Sequence, residues 1–132
     1  MKYNDFDLTA KPNYKMSLPA RIKWWFGKRK SIKERAKRGW SRYDAWEFDR
    51  YLATVIGDAS EYLAGAHMSH PWDYTSEEWD EKLTYISKCF KQYLEDNEYE
   101  TLEEEERAYN EKMKRLREGF ELLYEVFPEL WD

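Results

Sequence analysis

Residues 75–94, TSEEWDEKLTYISKCFKQYL, decide the fold. Thr75 and Glu78 form a capping box, in which the hydroxyl takes a backbone amide and the acid reaches back to the cap. Tyr74 and Trp79 occupy the two positions of a hydrophobic staple. Trp79, Leu83, Ile86, Phe90, Tyr93 and Leu94 then recur every three or four residues, the period of one helix face. Cys89 falls among these apolar positions and reads as a small buried hydrophobe.

The same signs recur on both sides. Towards the C-terminus, a polar link of residues 96–100 leads to Thr101 and Glu104, a third box of this kind. Tyr109, Met113, Leu116, Phe120, Leu123 and Phe127 follow in alternating steps of four and three, and Pro128 ends the helix. Upstream, HMSHPWDY is a loop with Pro71 as its breaker. Before it a long helix is expected, capped by Ser41 with Asp44 at N3, its face made by Phe48, Leu52, Val55, Ile56, Ala59, Leu63 and Ala66. Gly57 inside it is a mild cost or a point of close packing. Two short helices are expected earlier. One starts at Ser17 with Pro19 in its first turn and stops at Gly27. The other opens on a Ser31/Glu34 capping box and ends at Gly39. Residues 1–16 lack periodicity and read as an extended arm. The expected architecture is all-α: three long helices forming a bundle core, with two short N-terminal helices across it, in one helical domain over 17–132.

Composition sets the limits. The chain has 132 residues, 37% charged and 18% aromatic, too aromatic for general disorder. No apolar run approaches the roughly 18 residues of a membrane span, and the first residues show no secretory leader. A single cysteine excludes an internal disulfide and makes a reducing, cytoplasmic compartment the default. The net charge of -5 hides a split. Residues 1–42 hold 13 Lys/Arg against 3 Asp/Glu, and residues 43–132 hold 9 against 24. A basic half of this kind can meet an anion.

Candidate binding residues follow from that split. Segment 21–42, RIKWWFGKRKSIKERAKRGWSR, holds ten Lys/Arg and one acid. Phosphates are matched by Arg and Lys, and bases by aromatic planes. The candidates are Arg21, Trp24, Trp25, Lys28, Arg35, Arg38, Trp40 and Arg42. Ser31 and Ser41, as helix starts, would also favour anions. The plainer alternative is a solvated basic face whose Trp residues dock the helix, or one that neutralises the acidic half within or between subunits. The loop adds His67 and His70, three residues apart with Asp73 and Glu77 near, as ligand contacts, acid–base groups or structural caps. No second His pair or Cys cluster completes a metal shell, so no metal or cofactor is expected. Tyr43, Asp44, Trp46, Glu47, Asp49, Arg50 and Tyr51 read mainly as caps and solvated faces. The acidic run 103–106 complements the start of a helix dipole. No phosphate loop, dinucleotide fingerprint, zinc-protease pattern or nucleophile elbow is present, which weighs against an enzyme.

The stretch Gly39-Trp40-Ser41-Arg42-Tyr43-Asp44-Ala45-Trp46-Glu47-Phe48-Asp49-Arg50-Tyr51-Leu52-Ala53, continued by His67 to Pro71 and Glu77-Glu78-Trp79, resembles a group of small proteins encoded by tailed phages and prophages. They share a G-W-S-x-x-D-x-W-x-x-D-x-Y-L-A pattern, a His-and-Pro loop and an E-E-W helix start. The resemblance covers roughly residues 39–95, and the basic segment lies mostly outside it. It implies phage origin more than an activity. By analogy with small phage counter-defence proteins, the leading expectation is a non-enzymatic sponge in the host bacterial cytoplasm. It would hold a phosphate-bearing nucleotide signal without turning it over. The alternative is a protein-interaction module that blocks a host protein or joins phage assembly. Nucleic acid is less expected because the chain is acidic overall. A membrane partner is not expected, a homo-oligomer is, and a nucleotide hydrolase using His67 or His70 is the remaining enzymatic reading.

Overall fold

Between Leu18 and Arg38 the chain forms one continuous helix, α1, in the computed structural model, which describes residues 15–131. The two short helices expected here are one. Gly27 costs a helix only about 1 kcal/mol relative to Ala, which the flanking turns tolerate. Ser31 does not cap: its hydroxyl donates back to the Gly27 carbonyl at 3.2 Å, a bond made inside a running helix. The Ser17 hydroxyl likewise caps nothing, although its backbone is extended and Pro19 follows in the first turn. The end of α1 is as expected. Gly39 takes φ +85°, and its N–H donates to the Arg35 carbonyl at 2.8 Å. Residues 1–14, nearly all of the expected arm, lie outside the described residues.

The remaining elements are α2 (Arg42–Trp46), α3 (Phe48–Ala66), α4 (Ser76–Tyr93), α5 (Leu102–Val126) and a 3-10 turn at Phe127–Glu129. No strand occurs among the described residues. The chain divides into two compact units, one ending at Tyr51 and the other beginning at Leu52.

In the first unit the Ser41 capping box forms in both directions. Asp44 N–H donates to Ser41 Oγ at 3.2 Å, and Ser41 N–H donates to Asp44 Oδ2 at 2.7 Å. The helix it starts is short, which corrects the expected long helix from Ser41. Glu47 leaves helical geometry at φ -118°, ψ 57°, and winding resumes at Phe48. One residue out of register is invisible to a periodicity argument. Past the kink, the Tyr51 hydroxyl donates to the Gly39 carbonyl at 2.5 Å, tying the restart to the end of α1.

The second unit is built around α4. Its capping box closes, with Glu78 N–H to Thr75 Oγ1 at 3.2 Å and Thr75 N–H to Glu78 Oε2 at 2.9 Å. The staple forms as a stack of Tyr74 on Trp79, centroids 5.8 Å apart. Trp79, Leu83, Ile86 and Phe90 are fully buried, and Ala53 of α3 and Val126 of α5 complete the core. Each large side chain there contributes roughly 1.5–3 kcal/mol by leaving water.

The neighbours meet α4 through faces the sequence reading did not choose. α3 buries Ala53, Gly57 and Ser60. Of its expected stripe, Ile56 and Leu63 are partly buried, while Phe48, Leu52, Val55, Ala59 and Ala66 are exposed. α5 buries Gly119 and Val126. Of its expected stripe Leu116 and Leu123 pack on the core, Phe120 meets the buried Phe90 edge to face at 4.9 Å while staying half exposed, and Tyr109, Met113 and Phe127 are exposed. Periodicity finds the largest residues, but here the smallest ones allow the closest approach. The Thr101 box closes on one side only: Glu104 N–H donates to Thr101 Oγ1, whereas the Glu104 carboxylate takes the Glu100 N–H at 3.3 Å.

Two of the helical glycines, Gly119 and Gly27, separate by environment. A Cβ on Gly119 would lie 2.7 Å from Cys89 Cβ and 3.3 Å from Phe90 Cε2, whereas one on Gly27 meets nothing within 4 Å. Gly119→Ala is expected to destabilise the second unit by about 1–3 kcal/mol through overpacking. Gly27→Ala should stabilise α1 by about 0.5–1 kcal/mol. Urea unfolding followed by circular dichroism measures both.

Candidate functional site

The basic-aromatic segment is α1 and the turn after it, and the helix sorts its residues by face. Arg21, Trp24, Gly27, Lys28, Ser31, Glu34 and Arg35, spaced by three and four, are partly covered. The opposite side exposes Leu18, Ile22, Trp25, Phe26, Arg29, Ile32 and Lys33. No residue of α1 is buried. Adjacent Trp24 and Trp25 thus face different ways, about 100° apart around the axis, and meet edge to face at 6.2 Å.

Most of the expected ligand cations already have partners inside the chain. Arg35 forks onto Asp44, with Nε to Oδ2 at 2.7 Å and Nη2 to Oδ1 at 2.5 Å. Arg38 lies 3.8 Å over the Trp40 ring, donates from Nε to the Trp40 carbonyl at 3.0 Å and reaches Glu34 at 3.5 Å. Lys28 sits 4.6 Å over Trp24, and Arg21 Nε donates to the Met16 carbonyl at 3.1 Å. The Arg42 N–H donates to Glu34 Oε2 at 2.7 Å, and its side chain is exposed. The cations of the segment whose side chains make no hydrogen bond or ion pair among the described residues are Arg42 and, outside the expected set, Lys23, Arg29, Lys30, Lys33 and Lys37, all exposed. Composition marked the segment, but only the face assignment tells engaged cations from available ones.

Asp44 organises this unit. Its side chain is 1% exposed and collects Arg35 and the Ser41 amide. Burial works to raise its carboxyl, but the hydrogen bonds from Arg35 and Ser41 outweigh it and hold the group below its ordinary value. The hydrogen bond to Asp44 raises Arg35 in turn. The sequence showed Asp44 as a cap, and nothing in its spacing announced a partner nine residues upstream.

The histidines do not form one site. His67 Nδ1 lies 2.8 Å from the Ser69 carbonyl and Nε2 2.5 Å from Asp80 Oδ1, so both ring nitrogens are engaged in fixing the loop to α4. His70 is exposed, with Nδ1 3.1 Å from the Pro71 carbonyl. Among the described residues, no three His, Cys, Asp or Glu side chains are grouped to hold a metal ion. Two well-formed clefts occur elsewhere. One, of about 640 Å³, is lined by Glu95, Asp96, Asn97, Tyr99, Leu102, Glu105, Glu106, Tyr109 and Lys112. The other, of about 550 Å³, is lined by Phe120, Leu123, Tyr124, Glu125, Phe127 and Pro128. None of the expected site residues lines either cleft.

No family model, curated protein or solved structure matches the chain. Among the described residues no helix is long and apolar enough to cross a membrane.

The Arg35–Asp44 pair sets a pH dependence. A carboxyl lowered in the folded state contributes stability that is complete above its ordinary value and is lost as pH falls through the lowered one. The protection factors of the Ser41 and Asp44 amides, measured against the intrinsic exchange rate at each pH, should therefore fall on acidification. Asp44→Ala, which strands Arg35 and removes the box, should cost about 3 kcal/mol at neutral pH and abolish that acid sensitivity.

Proposed function

We propose that this is a non-enzymatic binding protein of phage origin whose binding element is α1, and that α1 docks into an acidic groove on a host protein. The observation that carries this is the outward face of α1. Leu18, Ile22, Trp25 and Phe26 are 50–68% exposed on it, beside five cations that have no partner among the described residues. A helix presenting apolar anchors at three- and four-residue spacing, flanked by one sign of charge, suits a groove on another protein. The wider surface agrees. Among the described residues, seven apolar side chains are buried and twenty-two large ones are exposed, far more than a protein that works alone leaves in water.

Nucleotide sequestration, in which Arg21, Lys28, Arg35, Arg38 and Arg42 would neutralise phosphate while Trp24, Trp25 or Trp40 stacks on a base, is the second reading. It keeps support from the exposed Trp25 ring beside Arg29. It is weakened by the engagement of Arg35 and Arg38, because a carboxylate already occupies the fork a phosphate would need. A small ligand also needs a concave site that buries most of its surface, and no residue of α1 lines either of the two clefts described.

A photo-crosslinking amino acid at position 25 of the full chain tests the first reading in host cells. The expected product is a one-to-one adduct with a single acidic protein. The triple variant Arg29→Glu, Lys33→Glu, Lys37→Glu should bind that protein at least about tenfold more weakly. Native mass spectrometry after incubation with a host nucleotide extract tests the second. An intact nucleotide on the wild-type chain, with no protein adduct, would transfer the assignment to sequestration.

A further inference from the structure

α5 carries an apolar seam that the second unit covers only in part. Tyr109, Met113, Leu116, Phe120, Leu123 and Phe127 alternate steps of four and three, the seven-residue repeat that keeps a stripe facing a partner helix. Leu102 lies one repeat before Tyr109. α5 meets α4 through Gly119 and Val126, with Leu116 and Leu123 on the core and one edge of Phe120 on Phe90, so the N-terminal part of the seam and the outer side of Phe120 are left over: Leu102, Tyr109, Met113 and Phe120 stay 83, 59, 37 and 49% exposed. Charge is segregated along the same helix. Glu103, Glu104, Glu105 and Glu106 lead its first turns, Lys112, Lys114, Arg115 and Arg117 follow in its middle, and Arg107 and Glu111 lie between the two groups.

We propose that this seam is covered by the α5 of a second copy of the chain, running antiparallel and related by a two-fold axis near Glu111. A parallel pair would set acid against acid and base against base. The antiparallel pair brings Leu102 of each copy to Phe120 of the other and Tyr109 to Met113. It also places Arg117 of one copy beside Glu103 and Glu106 of the other. Arg117 is 81% exposed and among the described residues holds only Glu121, one helical turn on, at 3.0 Å. Such a surface pair is worth little and is readily exchanged. The cleft lined by Tyr99, Leu102, Glu106 and Tyr109 lies at the level where Phe120 of the other copy arrives. The self-complementary patch is what a two-fold interface requires. This surface is distinct from the outward face of α1, so either can fail without the other.

Sedimentation velocity on the full chain reads the result. The wild type should run as a dimer that dissociates on dilution. Arg117→Glu alone, and Glu103→Arg with Glu106→Arg alone, should each weaken self-association by about tenfold or more, since each sets like charges together twice per dimer. An equimolar mixture of the two variants should recover a heterodimer, because every pair in it is again opposite. Circular dichroism confirms that the helices are intact, as expected for exposed positions. A wild-type chain that stays monomeric, variants that dimerise like the wild type, or a mixture that shows no recovery would each overturn the proposal.

Discussion

At the level of Ser87 to Lys91, α4 has a glycine against it from each neighbouring helix of the second unit. On one side is Gly57 of α3, whose carbonyl accepts from Ser87 Oγ at 2.7 Å and whose missing side chain leaves room for Lys91 Cγ. On the other is Gly119 of α5, in contact with Cys89 and Phe90. A Cβ at Gly119 would come within 2.7 Å of Cys89 Cβ and push the helices apart, whereas one at Gly57 would need only the Lys91 side chain, 3.1 Å away, to give. The bulky residues of α4 itself, Trp79, Leu83, Ile86 and Phe90, then fill most of the core that forms. A neighbour that approaches through its smallest face turns its largest residues aside, which is why Leu52 and Val55 on α3 and Tyr109 and Met113 on α5 stay exposed.

That geometry also explains how far the sequence could be read. The helices, the loop at His67 to Asp73, the boxes at Ser41 and Thr75, the Tyr74–Trp79 staple and the left-handed Gly39 were all legible, because each rests on chemistry within a few residues. α4 was legible in full, since its one apolar line is also its buried line. α3 and α5 each carry two lines, one large and one small, and periodicity cannot tell which one meets a neighbour. The kink at Glu47 and the continuity of α1 through Gly27 depend on single backbone angles that composition does not encode. At the candidate site, the segment was legible but the division of labour among its cations was not. Arg35 looked like a free phosphate ligand and is the partner of a buried acid.

The first unit shows how a strongly basic stretch is made to fold. A helix with ten cations in and just after it would repel itself if all of them faced the same water. Here Arg35 is neutralised by Asp44, Glu34 serves both Arg38 and the Arg42 amide, and two tryptophan faces take Lys28 and Arg38. The remaining positive charge is thereby concentrated on one side, next to the apolar positions it flanks. Engaged and unengaged cations are thus divided by face along a single helix.

Cys89 is the chain's one thiol, 1% exposed beneath Gly119, and burial pushes it up from its ordinary value. A thiolate there is disfavoured, and a reagent has no path to the sulfur while α4 and α5 stay together. Chemical modification of this protein is therefore gated by separation of the two helices rather than by the reactivity of sulfur. The rate at which the thiol is labelled counts how often the second unit breathes, residue by residue at its tightest contact, with no foreign probe introduced.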